Sequence, residues 1–449
     1  MKFVRTFNFV YIGIFTILYS QSDPIIIQSY SSTIVTKSLD SLIHDEIDLT
    51  IKYDLHQIRT SENKTEYKKS YKKKYLDTLI MRSDTPINQI VMHQITKSLL
   101  KTSIGTDFDK KIKNLHRGYY FLQNPIQYRI GRISKDRLGG VFQIDPVFEN
   151  QFSGLMGMGK SGKIWDLTGE FNLHLENILR TAGSYDFYWK SVDSLSQILK
   201  FELIEPHPFG IDFGVKWKYH HELIQGLYTI MKNQSRLMLF LPQFQNRLSL
   251  GLNSGRTMPT EKGRIDGYSS ESFQSFNITL EYDDTDHRIL PNRGYKYELQ
   301  LDGGKQKSTS YFESSYNIFF YIPILDQYLL MFSSMGESIS FNKGQIPKVR
   351  LFYYGGASTL RGFREQQFFA SKYNILTFEF SYSQSFRWRS NIFIDYATSD
   401  YDLFQNGKFG YGLGFTQVNK QNIFKIEYAI PGSLGFQNAK LHIKWISRL

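Results

Sequence analysis

IPKVRLFYYGGASTLRGFREQQ, residues 346–367, is the stretch on which the reading of this chain turns. Residues 349–354 are β-branched and aromatic, which predicts a strand. Gly355-Gly356 ends it, because a glycine pair opens backbone angles that residues with a Cβ avoid. Leu360-Arg361-Gly362-Phe363 follows, one arginine among apolar groups in a segment, 355–370, too long for a hairpin turn. A loop facing solvent has no need of Leu360, Phe363, Phe368 and Phe369. A loop folded back into an enclosed space does.

On either side of this stretch apolar and polar residues alternate. Downstream, Leu376, Phe378, Phe380 and Tyr382 alternate with Thr377, Glu379, Ser381 and Ser383. Upstream the same texture runs through 170–176, 211–219, 248–253, 276–283 and 295–302. Period 2 puts each apolar set on one face of a sheet and each polar set on the other. A soluble sandwich alternates in the same way, so the pattern alone leaves both readings open. The polar faces suit a wet lumen, and a closed barrel pairs every backbone group that lies in lipid. The alternating region, 132–449, has 318 residues. At about 20 residues for a strand with its turn, that is room for about sixteen strands.

The N-terminus adds a reason to favour the membrane. Lys2 and Arg5 precede a mostly apolar run over 7–18, and the small residues Ser20 and Ser22 follow. This is the pattern of a secretory signal over 1–22, cut between Ser20 and Asp23. Residues 23–131 read as a soluble α+β region. A strand is expected at 25–28 and another at 47–53. Asp84 or Thr85 is expected to cap a helix carrying Ile87, Ile90, Val91, Ile95 and Leu99, and a second helix fits Phe108, Ile112 and Leu115.

Composition sets limits. A mean hydropathy of −0.35 excludes a helical membrane protein but not membrane strands, whose two faces cancel in the average. The 36 Phe and 30 Tyr fit aromatic girdles, although an AT-rich gene gives the same excess. The absence of Cys removes any disulfide framework and any thiolate metal site. A net charge of +12 suggests nucleic acid only if a basic patch sits on a recognisable module, and none does. Lys64, Lys68, Lys69, Lys72, Lys73 and Lys74 cluster around Tyr67 and Tyr71 and read as a solvated hairpin or loop. The other reading of that run is a face for anionic lipid or an acidic client.

Pro347, Phe352, Gly355, Gly356, Leu360, Arg361, Gly362 and Phe363 together resemble the signature loop of the bacterial surface-antigen superfamily. That family of outer-membrane barrels includes the Bam- and Tam-type assembly factors, organellar import relatives and two-partner secretion transporters. Asp283, Asp284 and Asp286 with Pro291 and Gly294 resemble its turn between two strands, and Phe393-Ile394-Asp395 its strand with a lumen-facing aspartate. One departure is the end, Trp445-Ile446-Ser447-Arg448-Leu449, where the family commonly finishes on an aromatic residue. The resemblance implies an all-β transmembrane barrel of about sixteen antiparallel strands over 132–449. It also implies one or two POTRA-like modules within 23–131. Arg361 is then expected to hold the loop in the lumen as a lid, forked onto Asp395 and secondarily onto Glu379, with Gly362 approaching the wall closely. By the same analogy a weak seam is expected where 141–148 meets 439–446.

No catalytic constellation stands out: there is no Gly-x-Ser-x-Gly elbow, Walker loop or His-Glu-x-x-His. His220 and His221 fall on opposite faces of a strand, which argues against a shared metal. Asp283, Asp284 and Asp286 have the oxygen chemistry for calcium, but aspartates in a turn commonly bond their own backbone. No catalytic residue, metal or cofactor is therefore expected. The expected function is assembly, insertion or translocation of proteins at the bacterial outer membrane, with the N-terminal region in the periplasm. The short N-terminal region suggests an accessory factor. Lipid, unfolded or nascent clients and periplasmic assembly partners are the expected contacts, with no nucleic acid. A two-partner-type exporter or a passive channel is the alternative. An outer-membrane lipid enzyme would need a Ser/His pair on the lipid face, and none is readable.

Overall fold

Strands make up most of the structure, a computed structural model that describes residues 25–27, 51–61, 64–73, 75–104, 106–134, 137–161, 164–193, 195–240, 247–384, 386–399, 407–432 and 435–449. The signal expected at 1–22 lies outside the described residues. The chain divides into two units. One comprises Met1–Asp77, Lys101–Gly105 and Ile130–Gly139, the other Thr78–Leu100, Thr106–Arg129 and Gly140–Leu449. In the first, β1 (Ile25–Ile27), β2 (Ile51–Ser61) and β3 (Lys64–Lys73) form a sheet in the order β1-β3-β2. The lysine-rich run is thus one arm of a hairpin, with Tyr71 in register with Tyr53.

β4 (Leu76–Ser83), β5 (Gln127–Ser134) and β6 (Arg137–Ile144) form a second sheet, ordered β4-β6-β5. α1 (Gln89–Lys97) buries Val91, Met92 and Ile95. Its cap is Asn88, whose Oδ1 accepts the Ile90 N–H at 2.9 Å, rather than the Asp84 or Thr85 expected, which lie in a bend ahead of it. α2 (Thr106–Gly118) turns Phe108 onto Phe142 and Tyr128, with ring centroids 5.8 and 5.4 Å away.

The wall begins with β7 (Gln151–Ser161), β8 (Ile164–Glu176), β9 (Ser184–Asp193), β10 (Ser196–Glu205) and β11 (Phe213–Ile224). It continues through β12 (Tyr228–Phe240), β13 (Arg247–Pro259), β14 (Glu271–Asp283), β15 (Gly294–Gln306), β16 (Thr309–Leu325) and β17 (Tyr328–Phe341). The short strands β18 (Phe352–Tyr354) and β19 (Phe368–Ala370) pair only with each other. β20 (Lys372–Gln384), β21 (Trp388–Ser399), β22 (Lys408–Val418), β23 (Asn422–Pro431) and β24 (Lys440–Arg448) complete the ring. Among the described residues sixteen antiparallel strands close, β24 returning to β7.

Which face is buried decides between sandwich and membrane barrel. On β13 and β14 the apolar residues Leu252, Phe276 and Ile278 are exposed, Leu252 by 67%, while Ser249, Asn277 and Thr279 are buried, Asn277 completely. A soluble sheet buries its apolar face; this wall turns that face outward and fills its interior with polar side chains. Each buried polar group then needs a partner. Asp302 receives Nδ2 of Asn253 and Asn277 and Oγ of Ser275, and Lys216 pairs with Glu281 at 2.7 Å. No described helix is long and apolar enough to cross a membrane.

Three expectations need correction. The wall starts at Gln151 rather than 132: residues 137–144 alternate like a membrane strand but belong to the smaller sheet. The seam consequently joins β24 to 151–152, so 141–148 is not its first edge. Lastly, 349–354 is not one strand. Pro347 leads into a 3-10 turn at Lys348–Arg350, and only Phe352–Tyr354 is extended. Val349 and Arg350 are buried there, so packing overrides their strand propensity.

Candidate functional site

β18 and β19 form a two-stranded stalk from which 355–367 projects. Gly355 and Gly356 have φ of 116° and 105°, in the left-handed region that favours glycine. The bend is fixed by Gly355 N–H donating to Thr359 Oγ1 at 2.9 Å and Gly356 N–H to the Leu360 carbonyl at 3.1 Å. Leu360 and Phe363 then close a buried apolar cluster with Tyr354, Ala370, Ile375 and Ala397, the last two on β20 and β21.

Arg361, 7% exposed, is the polar centre of this packing. Its Nε and Nη2 donate to the two oxygens of Asp395, each at 2.7 Å, and its backbone N–H adds a third bond at 3.1 Å. Nη1 donates to Glu379 at 2.8 Å and to Glu427 at 2.9 Å. The guanidinium carbon stands 3.4 Å from the centroid of Phe393. Asp395 is fully buried and also accepts from Thr377 Oγ1 at 2.9 Å, while Glu427 also pairs with Lys425. Burial works against the arginine's charge. The Asp395 hydrogen bonds and the charges of Asp395, Glu379 and Glu427 outweigh it, raising the pKa above the ordinary arginine value. The fork onto Asp395 has the bidentate geometry that makes such pairs strong.

Gly362 has φ of 92°, and a Cβ there would meet the Ile430 carbonyl carbon and the Pro431 nitrogen at 2.9 Å. The far side of the loop reaches other strands: Gln366 Nε2 donates to Glu222 on β11, and Glu365 lies 3.9 Å from Lys190 on β9. One loop thus contacts β9, β11, β20, β21 and β23.

The turn residues Asp283, Asp286, Pro291 and Gly294 are brought together, but apart from the loop. Asp283 Oδ1 accepts the Thr285 N–H at 2.9 Å and its hydroxyl at 2.6 Å. Asp286 Oδ1 accepts the N–H groups of Asn292 and Arg293 at 2.8 and 3.2 Å, and Gly294 takes φ of 103°. These oxygens serve the turn's own backbone. Among the described residues no group of three or more His, Cys, Asp or Glu is placed to hold a metal.

From the same turn Arg288 reaches Glu176, Nη2 at 2.5 Å and Nη1 at 3.1 Å. Glu176 also accepts the Glu149 N–H at 2.7 Å, and Glu149 pairs with Arg448 on β24. This chain of charges sits where the ring closes. Among the described residues β24 and β7 share 2 registered pairs, against 8 at β8–β9 and β23–β24 and 14 at β16–β17. Sequence reading passed over Glu427, Arg350 and this closing network. Glu427 occupies a lumen position on an alternating strand, a signal equal to that of Glu379. Arg448 and Glu149, 299 positions apart, had none.

The fold defines an outer-membrane β-barrel, one loop of which is anchored to several of its strands. The chain matches the Omp85 superfamily domain over residues 190–437 and belongs to that superfamily. Solved structures with a similar fold include CdiB from Escherichia coli, 14% identical over 93% of this chain and 84% of that one, TM-score 0.57. CdiB from Acinetobacter baumannii is 11% identical over 92% and 80%, TM-score 0.56. BamA from Haemophilus ducreyi lacking POTRA domains 1-3 is 13% identical over 93% of each chain, TM-score 0.50. No curated protein matches the chain in sequence.

Proposed function

We propose that this chain assembles, inserts or translocates proteins at the bacterial outer membrane, as an accessory factor whose N-terminal α+β region, POTRA-like and bounded by a cleaved signal at 1–22, lies in the periplasm. The observation that carries the proposal is the junction of β24 with β7, held by 2 registered pairs. Beyond Gln151 and Phe152, β7 pairs with β8 alone among the described residues, so its other edge offers backbone donors and acceptors. An extended client segment completes such an edge by strand addition. In this reading the loop 355–370 is a lid, with Arg361 its anchor, and the partners are lipid, unfolded or nascent clients and periplasmic factors. No bond in a client is made or broken. The test reconstitutes the protein in vesicles and supplies an unfolded outer-membrane client. Phe152→Cys with Ser447→Cys, in register across the seam, should block insertion when oxidised and restore it when reduced. Full insertion by the oxidised protein would sink the proposal.

A second reading is a conduit, either a two-partner-type exporter or a passive channel. It is favoured by a cavity of about 500 Å³ lined by Glu149, Arg288, Glu379, Arg389, Lys425 and Glu427. Secretion that persists through the oxidised seam would select it.

A further inference from the structure

Arg361 is not the only arginine that pins this loop. Arg350 stands eleven residues earlier, where the chain leaves Pro347 and enters the 3-10 turn, and it is 4% exposed. Its Nη1 donates to Gln306 Oε1 and its Nη2 to Glu313 Oε2, both at 2.7 Å. The guanidinium carbon lies 3.8 Å from the centroid of Phe273 and 4.5 Å from that of Tyr311, so the cation sits against two aromatic rings as well as being hydrogen-bonded. Guanidinium geometry serves both contacts at once, and an ammonium group would not. Beside it Val349 is buried with Ile224, Tyr228 and Ile339.

These partners belong to β11, β12 and β14–β17, whereas those of Arg361 belong to β20, β21 and β23. The two arginines therefore fix the segment to different sectors of the ring, and among the described residues they share no hydrogen-bond partner. We infer that Arg350 is a positioning residue: it holds the base of the loop independently of the tip and sets the point about which the loop turns when Arg361 lets go. The inference rests on the reading of 355–370 as a lid. A segment released at its tip alone stays tethered beside the wall of β14–β16, so the interior opens without the loop being lost from it.

The cysteine-free full chain suits a thiol test. Val349→Cys reports on the base and Leu360→Cys on the tip, both buried, so each thiol reacts with a maleimide only when its site opens. A clamp whose loss costs about 1.4 kcal/mol reads as a roughly tenfold faster alkylation. Arg350→Gln should accelerate position 349 by about that factor and leave position 360 as it was; Arg361→Gln should do the reverse. Their combination should accelerate both and raise single-channel conductance above either single variant. If Arg350→Gln fails the heat-modifiability check for a folded barrel, Arg350→Lys, which keeps the charge but loses the spread of donors that reaches Gln306 and Glu313 together, takes its place. An unmoved rate at position 349 overturns the inference, as do two reporters that rise together in each single variant. If the rates separate as expected while conductance never changes, the lid reading fails and the separate anchor at Arg350 stands.

Discussion

Arg448 on the last strand of the ring forks onto Glu149, two residues before the first, with Nε at 3.0 Å and Nη2 at 2.5 Å. The Leu449 N–H donates to the Asn150 carbonyl at 2.7 Å beside it. Among the described residues this contact adjoins the 2 registered pairs between β24 and β7, so it helps close the barrel. Glu149→Gln leaves a partly buried guanidinium without its carboxylate, at a cost of about 1–3 kcal/mol. A lone thiol at Ser447→Cys should then be alkylated faster in the variant than in the parent. Equal rates would mean that the ion pair does not guard the seam.

Seam register is open to a direct check. Phe152→Cys with Ser447→Cys should oxidise readily, because the two are opposite partners. Val141→Cys with Ile446→Cys should not, since Val141 belongs to the smaller sheet. The reverse yields would refute the register.

The loop anchor predicts an asymmetric mutant cycle. Arg361→Ala strands three carboxylates, with Lys425 alone beside Glu427; Asp395→Ala leaves the guanidinium still bonded to Glu379 and Glu427. Both should lower the denaturation midpoint in detergent, the arginine change by about 2–4 kcal/mol in this wet interior and the aspartate change by less. The double variant should cost clearly less than the sum. Strict additivity would mean the contact contributes nothing to stability.

Gly362→Ala tests the fit of the tip to the wall. The residue has φ of 92°, and the added methyl meets backbone atoms at 2.9 Å, so the loop must lift. Conductance should rise while heat-modifiable mobility stays that of a closed barrel. A silent variant would show that the tip has room to spare.

A pH effect is expected at the turn between β10 and β11, where His207 meets Tyr119, the residue after α2. His207 Nδ1–H donates to the Ile211 carbonyl at 2.9 Å, and Nε2 accepts the Tyr119 hydroxyl at 2.6 Å. Burial lowers the His207 pKa below its ordinary 6.5 against the smaller pull of the Ile211 bond and of Asp212, which itself pairs with Lys97. A depressed histidine means the folded state binds fewer protons than the unfolded one. The contact's contribution is therefore present above pH 6.5 and is lost as pH falls from there toward the folded value. Protease cleavage near Tyr119 should quicken below that pH, by at most about 1.4 kcal/mol per unit, and His207→Phe should abolish the dependence. Cleavage indifferent to pH in the parent would refute it.

Much of the wall is legible because alternation survives every change of residue: Phe378 and Phe380 outside, Thr377 and Ser381 inside, need no partner to be read. Arg361, Asp395 and Glu379 are each legible as one charge on an inward position, and the structure brings the three together. What escapes is whatever depends on which strand lies opposite which. Residues 137–144 alternate as well as any wall strand yet join another sheet. Glu427 completes the Arg361 site from 66 positions away, and Arg350 reads as a strand residue because nothing local announces Phe273 and Tyr311 beside it.

The Glu149–Arg448 contact joins residues 299 positions apart, while every other junction of the ring links strands that follow one another along the wall. Nearby partners meet quickly and distant ones late, because loop closure costs entropy that grows with the separation. Separation alone therefore favours a wall that forms hairpin by hairpin as an open ribbon. The Arg361–Asp395 contact, 34 residues apart, is then expected to be made before the ribbon's edges meet, so that the loop needs no threading into a closed ring.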